Sequence, residues 1–153
     1  MASVNAVADY ILAKVDANDG DSITHLKLQK LVYYCQAWYL AYYDEPLFDN
    51  RIEAWAHGPA VWDLWQRFKN RGWQSIDPTK LVTDPFAELD ERQRDMIDEV
   101  WAAYGNLSGS DLRALTHSED PWIAAYGDRA PGRPCDTEIT RDSMRDFYRA
   151  EIA

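Results

Sequence analysis

The sequence has few of the residues that form disulfides or bind metals. It contains two cysteines and three histidines among 153 residues. Cys35 falls in an apolar segment and Cys135 in a segment rich in proline and glycine, and neither has the spacing of a zinc ligand. The histidines, His25, His57 and His117, are far apart in the chain. We therefore expect free thiols, histidines that form caps or hydrogen bonds, and no metal or other cofactor.

Basic residues are also scarce. Lysine and arginine together number 16 against 26 aspartates and glutamates, which gives a formal net charge of -10. Lys27 and Lys30 lie close together, but no further basic cluster follows them. A chain of this charge repels phosphate groups, so we expect it to bind neither nucleic acid nor an anionic membrane surface. A basic protein is the more suitable partner.

The sequence lacks an apolar run long enough to span a bilayer. Its most apolar stretch, Leu31–Tyr43, is preceded by Lys27 and Lys30 and is shorter than the ~18 residues that a membrane helix needs. The first residues have neither a basic region ahead of an apolar run nor a small-residue cleavage site, so they do not resemble a secretory signal. We expect a cytoplasmic protein.

Several catalytic and ligand-binding motifs are missing. The chain contains no GxxxxGK[ST], no GxGxxG, no GxSxG and no HExxH. The acidic stretch DANDGD resembles the start of a calcium loop, but placing Gly20 at the sixth loop position puts Val15 at the first and Leu26 at the twelfth. Because these residues cannot replace the carboxylates of an EF-hand, we interpret the stretch as a surface turn.

The most informative segment that is present runs from Thr24 to Tyr43, THLKLQKLVYYCQAWYLAYY. It has no proline or glycine over about five helical turns, and from Leu31 onward only Gln36 is clearly hydrophilic. One helical face carries Leu28, Leu31, Val32, Cys35, Trp38, Tyr39 and Tyr42, and the opposite face carries Tyr34, Ala37 and Ala41. A helix that is apolar on both faces must be covered on both, so it is predicted to lie at the centre of the core.

Amphipathic patterns and capping residues predict shorter helices around this central one. The first runs from about Ser3, as its N-cap, to Val15. Two capping boxes, Asp90 with Gln93 and Ser108 with Asp111, mark two further helix starts. Other predicted starts are Pro59 (for a helix that stops at Gly72), Asp120 and Thr140.

The segment after the central helix contains two short apolar runs, Leu47–Phe48 and Ile52–Trp55, around Asp49–Asn50, and it predicts a small hairpin. The residues from Trp73 to Glu88 have no sustained period and predict an irregular loop of a length that is often functional. The predicted fold class is therefore mainly α: a single compact helical domain, residues 1–153, around a central buried helix with a small β-hairpin.

Glu53 and His57 are the pair that an enzyme hypothesis would select. Glu53 could orient His57 as a general base beside the predicted helix start at Pro59. The alternative is that Glu53 forms an ion pair with Lys27 or Lys30 and ties the hairpin to the central helix. We favour this architectural interpretation because ion-paired groups are often structural.

Seven tryptophans are unusual for a chain of this length. Trp38, Trp65 and Trp101 fall on apolar helical stripes and are predicted to pack in the core. The remaining four lie at hairpin, helix-edge or loop positions, where exposed aromatic side chains often anchor protein interfaces; they are Trp55, Trp62, Trp73 and Trp122.

Four stretches, in this order and spacing, resemble the Panacea domain, a family of phage- and toxin-associated proteins that includes the SocA and GepA types. They are THLKLQKLVYYCQAWYL (24–40), PLF (46–48), IEAW with HGP (52–59) and LTHSEDPW (115–122). The resemblance implies a compact, mainly helical domain that acts as the antitoxin of a toxin–antitoxin pair by contacting a protein toxin. It also implies that some members are adaptors that deliver the toxin to an AAA+ protease.

The leading hypothesis is therefore a non-enzymatic antitoxin or proteolytic adaptor. The candidate partner-binding residues are Lys27, Lys30, Glu53, Trp55, His57, Trp62, Trp73, His117 and Trp122. Two alternatives remain open: a small enzyme that uses Glu53 and His57, and a phage-associated regulatory protein without a toxin.

Overall fold

The computed structural model describes residues 1–17, 22–71 and 74–152. Within these ranges, the helices are α1 (Val4–Ala17), α2 (His25–Tyr43), α3 (Trp62–Phe68), α4 (Pro85–Glu88), α5 (Glu91–Tyr104), α6 (Gly109–His117), α7 (Asp120–Tyr126) and α8 (Arg141–Glu151). The strands are short: β1 (Ile23–Thr24), β2 (Ile52–Trp55), β3 (Gly58–Ala60), β4 (Ser75–Ile76) and β5 (Glu138–Ile139). The predicted class, mainly α with a small hairpin, is confirmed.

The central helix α2 lies where the sequence placed it. Thr24 caps its start by accepting a hydrogen bond from the backbone N–H of Lys27, and Asp44 ends it in a left-handed conformation with φ 55°. Helices α1, α3, α5, α6 and α8 all pack against it. Most of its side chains are buried, including Tyr34 and Ala41 on the face opposite the main stripe. Tyr42 was predicted to point inward but is exposed, because it lies in the last turn just before the chain leaves the helix.

The predicted caps are also present. Asp90 and Gln93 form a reciprocal capping box at α5, and Ser108 and Asp111 form one at α6. At α8, the Thr140 side chain accepts a hydrogen bond from Ser143 N. These are short-range interactions that depend on residues three positions apart, so the sequence pattern was sufficient to find them.

The hairpin differs from its prediction. Strand β2 pairs with β3, not with Leu47–Phe48, and the turn between them is Ala56–His57, with Trp55 opposite Gly58. Phe48 forms only an isolated bridge with Ala2. Pro59 was predicted to open a helix but lies in β3, and α3 begins at Trp62. The turn requires φ +117° at Gly58, which glycine adopts readily, and the pairing of Pro59 with Ala54 keeps the chain extended there.

Helix α3 ends at Phe68 and continues as a single 3-10 turn over Lys69–Arg71. The predicted stop at Gly72 lies outside the described residues. The prediction for the segment that follows was wrong in part. The segment predicted as an irregular loop contains β4, which pairs antiparallel with β1, and the short helix α4. Strand β4 forms because it pairs with the distant strand β1, and the local sequence pattern does not indicate this pairing.

Candidate partner-binding surface

The β2–β3 hairpin is held against α2 by a buried lysine. Lys30 is completely buried, and its ammonium donates a hydrogen bond to the carbonyl oxygen of Pro59 over 3.0 Å and lies 3.5 Å from Nδ1 of His57. A β-carbon at Gly58 would lie 2.5 Å from Cε of Lys30. The lysine side chain therefore packs directly beneath the turn, and only glycine leaves room for it.

This environment lowers the pKa of the basic groups beneath the turn. Burial lowers the pKa of Lys30 to about 7, and Arg113 adds to the effect. Burial and the nearby Lys30 likewise lower the pKa of His57 to about 4. Both side chains act as hydrogen-bonding supports for the hairpin, and His57 is neutral near pH 7.

Glu53 does not contact the groups proposed for it. Its carboxylate accepts a hydrogen bond from the indole N–H of Trp55 over 2.8 Å and forms an ion pair with Arg51 over 3.0 Å. These contacts differ from the expected pairing with Lys27 or Lys30; Lys30 donates a hydrogen bond to the carbonyl oxygen of Pro59, and Lys27 donates one to that of Gly105. The arrangement of Glu53 and His57 as a catalytic pair is also absent, since each binds a different neighbour.

Three tryptophans meet on the outer side of the hairpin. Trp62 and Trp65, one helical turn apart on α3, stack with ring centroids 5.1 Å apart and planes 18° apart. Trp55 lies edge-on to both, at 6.1 Å and 6.3 Å. Trp62 is 50% exposed, as its position off the apolar stripe predicted. The result is a supported aromatic surface that is open to solvent.

A shallow groove of about 550 Å³ runs beside this aromatic surface. We call it the tryptophan groove; it is lined by Glu53, Trp55, Trp62, Pro134, Cys135 and Asp136. Strand β5 pairs with β2, and this pairing brings the preceding loop residues alongside the tryptophans. Cys135, like Cys35, is a free thiol.

Trp122 and His117 support the hairpin from α7 and α6. Their rings stack with centroids 3.8 Å apart, and the Trp122 indole donates a hydrogen bond to the carbonyl oxygen of Trp55 over 2.9 Å. Nε2 of His117 is buried without a hydrogen-bond partner among the described residues. Both side chains are partly buried. Their main role is therefore to position Trp55, and they contribute little exposed surface.

Lys27 does not join this surface. Lys27 donates a hydrogen bond to the carbonyl oxygen of Gly105 over 2.6 Å and lies over the ring of Trp101, on the α5 side of α2. Trp73 lies outside the described residues. The structure thus brings together Lys30, Glu53, Trp55, His57, Trp62, His117 and Trp122.

Sequence reasoning missed four contributors to the surface: Trp65, Pro134, Cys135 and Asp136. Trp65 was assigned to the core, although its position three residues after Trp62 could have indicated that the two rings share a helical face. Cys135 and Asp136 had no local signal, because they reach the groove only through the pairing of β5 with β2.

Other site types find little support in the described ranges. There, no group of three or more histidine, cysteine, aspartate or glutamate side chains is arranged to hold a metal ion. Across the same ranges, each helix is too short or too polar to cross a membrane. The described feature best suited to binding a partner is the open aromatic groove, which has carboxylates at its edge.

The chain has sequence similarity to a known protein family. Residues 28–123, more than half of the chain, match the family described as "Antitoxin SocA-like, Panacea domain". The chain is also 31% identical over 165 residues to the protein named Antitoxin SocA from Caulobacter vibrioides (strain NA1000 / CB15N), in an alignment that covers 97% of this chain and 85% of that protein. No solved structure matches the chain. The family match contains the whole β2–β3 hairpin and α3.

Proposed function

Because the chain belongs to the Panacea-domain family of SocA-like antitoxins, we propose that it is the antitoxin of a toxin–antitoxin pair and neutralises a protein toxin by direct binding. This role agrees with the resemblance that the sequence stretches indicated. The toxin is a basic protein encoded by an adjacent gene, and it meets the antitoxin in the cytoplasm without involvement of nucleic acid or membrane. The acidic net charge of -10 supports a basic partner.

The observation that carries this proposal is the exposed aromatic surface of Trp55, Trp62 and Trp65. Tryptophans are among the residues that most often dominate the binding energy of protein interfaces. Here Trp62 is half exposed but held in place by stacking on Trp65, so little side-chain freedom is lost when a partner covers it. The supports beneath the hairpin, Lys30 and Trp122, keep this surface rigid.

The same contacts favour a binding role over the enzyme alternative. In the enzyme alternative Glu53 orients His57 as the general base, and this requires a hydrogen bond between the two side chains. Glu53 is occupied by Arg51 and Trp55, and His57 faces Lys30. We therefore propose that these residues shape a contact surface and do not catalyse a reaction.

Direct binding can neutralise a toxin in two ways. The antitoxin can cover the toxin's active surface, or it can act as an adaptor that delivers the toxin to an AAA+ protease. The half-life of the toxin distinguishes the two routes: with a masking antitoxin the complexed toxin accumulates, whereas with an adaptor its half-life falls when the antitoxin is present and recovers when the protease is removed.

Co-expression with the protein encoded by the adjacent reading frame tests the proposal. We expect that protein to stop growth when expressed alone and growth to resume when this chain is added. Trp62→Ala should abolish or weaken the rescue, whereas Phe86→Ala, which removes a similarly exposed aromatic side chain on α4, should preserve it. If the neighbouring protein is harmless, or if its toxicity persists beside the wild-type chain at equal expression, the antitoxin proposal is wrong.

A further inference from the structure

The stacked indoles of the tryptophan groove provide a platform for a cation. Trp62 and Trp65 are nearly parallel, and the exposed Trp62 adds an aromatic face to the wall of the groove. The faces of aromatic rings carry negative partial charge and attract cations, with tryptophan the strongest. A lysine of this chain already uses the platform, because the ammonium of Lys69 lies 5.7 Å from the centre of the Trp65 ring.

Local basic groups neutralise only part of the negative charge of the carboxylates beside the platform. Glu53 is paired with Arg51. Asp136, which lines the groove, is exposed, and Arg51 donates a hydrogen bond to its backbone carbonyl oxygen over 2.9 Å. The carboxylate of Asp136 has no hydrogen-bond or ion-pair partner among the described residues. Glu138 is likewise exposed and stands directly opposite Glu53 across the β2–β5 pair, so both side chains point to the same face of the sheet. Two unpaired carboxylates therefore flank the tryptophans.

A flat aromatic face beside unpaired carboxylates matches one side chain in particular. The guanidinium group of arginine is planar, stacks on indole and forms paired hydrogen bonds with a carboxylate, whereas the ammonium group of lysine cannot do both. Nucleic-acid bases also stack on tryptophan, but their phosphates would be repelled by Asp136 and Glu138.

We propose that the tryptophan groove binds an arginine side chain on a basic segment of the toxin, with the guanidinium stacked on Trp62 and paired with Asp136. This inference rests on the proposed antitoxin function and specifies the chemistry of its contact. The arginine stacks on a preformed platform, and its charge compensates the unpaired carboxylates. Binding therefore requires no rearrangement of the hairpin.

Calorimetric titration of the adjacent-frame protein tests this chemistry. We expect Trp62→Ala to weaken binding by about tenfold or more and Trp62→Phe, which keeps a smaller aromatic face, to weaken it less. Asp136→Asn should weaken binding by about three- to tenfold and reduce its dependence on salt. Phe86→Ala and Glu91→Gln, on α4 and at the start of α5, are matched controls that should stay within about twofold of wild type. Circular dichroism establishes that each variant is folded.

A double-mutant cycle identifies the contacting residue on the toxin. Each toxin arginine is changed to lysine and titrated against the wild-type chain and Trp62→Ala. One Arg→Lys change should weaken binding to the wild-type chain but have little further effect on Trp62→Ala, because both remove the same stacked contact.

The outcomes separate this inference from the broader function. Absence of binding between the wild-type proteins would contradict the antitoxin proposal itself. If the two proteins bind and neither Trp62→Ala nor Asp136→Asn changes the affinity, the antitoxin role stands. The proposal that the tryptophan groove is the binding site would then be wrong. If Trp62→Ala weakens binding but shows no coupling to any toxin arginine, Trp62 contacts an apolar side chain of the toxin. The proposed arginine contact would then be wrong. Self-association of this chain through Trp62, detected by sedimentation, would assign the groove to a second copy instead.

Discussion

The ammonium of Lys30 lies 3.0 Å from the carbonyl oxygen of Pro59, completely buried, and no described carboxylate forms an ion pair with it. Burying an unpaired charge is costly, so the fold favours the neutral amine and the pKa falls to about 7. The unfolded chain retains the ordinary lysine pKa. At a pH between the folded and the unfolded pKa, Lys30 is therefore protonated in the unfolded chain and neutral in the folded one. The free energy of unfolding attributable to Lys30 therefore rises with pH from about 7 toward the ordinary pKa.

Lys30→Met should remove this dependence while keeping a long side chain beneath the hairpin. We expect the stability of the wild-type protein, relative to the variant, to increase by on the order of 2 kcal/mol from about pH 7 to about pH 9. Urea unfolding at several pH values measures it. Lys69→Met, which removes an exposed ammonium, is the matched control for loss of a surface charge. A constant difference between wild type and Lys30→Met across that range would contradict the assignment.

Gly58→Ala should destabilise the hairpin for two independent reasons. Gly58 has φ +117°, which an L side chain rarely adopts, and the added β-carbon would meet Cε of Lys30 at 2.5 Å. We expect a loss of about 2 kcal/mol or more in unfolding free energy. Gly132→Ala is the control, because Gly132 also has positive φ, at +83°, but its β-carbon would meet nothing within 4 Å. Its expected loss is about 1 kcal/mol. Equal losses at the two positions would show that the contact with Lys30 adds nothing.

The parts of the fold that the sequence predicted depend on short-range patterns. The boundaries of α2 follow from an uninterrupted apolar segment with Thr24 at its start, and those of α5 follow from the Asp90–Gln93 capping box. Such features need only residues within one or two turns of each other. The exposure of Trp62 was predictable for the same reason, because its neighbours on α3 define the buried face.

The parts that were wrong depend on tertiary pairing. The hairpin partner of β2 was misassigned because Leu47–Phe48 is apolar, whereas the actual partner, Gly58–Ala60, carries no strand signal of its own. The position of β3 instead follows from the fit of Gly58 over Lys30, 28 residues earlier in the chain. Likewise, Asp136 enters the candidate site only through the pairing of β5 with β2. Neither relationship produces a periodic pattern of residues that could be recognised in the sequence.

Trp122→Phe tests how much the hydrogen bond from Trp122 to the hairpin stabilises the fold. The change removes the indole donor to the carbonyl oxygen of Trp55 but keeps a ring to stack on His117. We expect a loss of about 1 to 2 kcal/mol in unfolding free energy, since a partly buried carbonyl is left without that donor. Trp101→Phe is the control, because the described residues include no acceptor for the Trp101 indole. A loss no larger than that of the control would show that this hydrogen bond does not stabilise the fold.

The acidic charge of the chain should act mainly on the rate at which it finds its toxin. A net charge of -10 creates a long-range field that attracts a basic protein, and dissolved salt screens this field over roughly 10 Å at about 0.1 M. We therefore expect the association rate constant to fall by about tenfold or more between about 0.05 and 0.5 M salt, with a much smaller change in the dissociation rate. Stopped-flow fluorescence can follow the reaction through the exposed Trp62. The combined change Asp136→Asn and Glu138→Gln should reduce the slope, whereas the neutral replacement Phe86→Ala should preserve it. A rate independent of salt would exclude electrostatic steering and with it the expectation of a basic toxin.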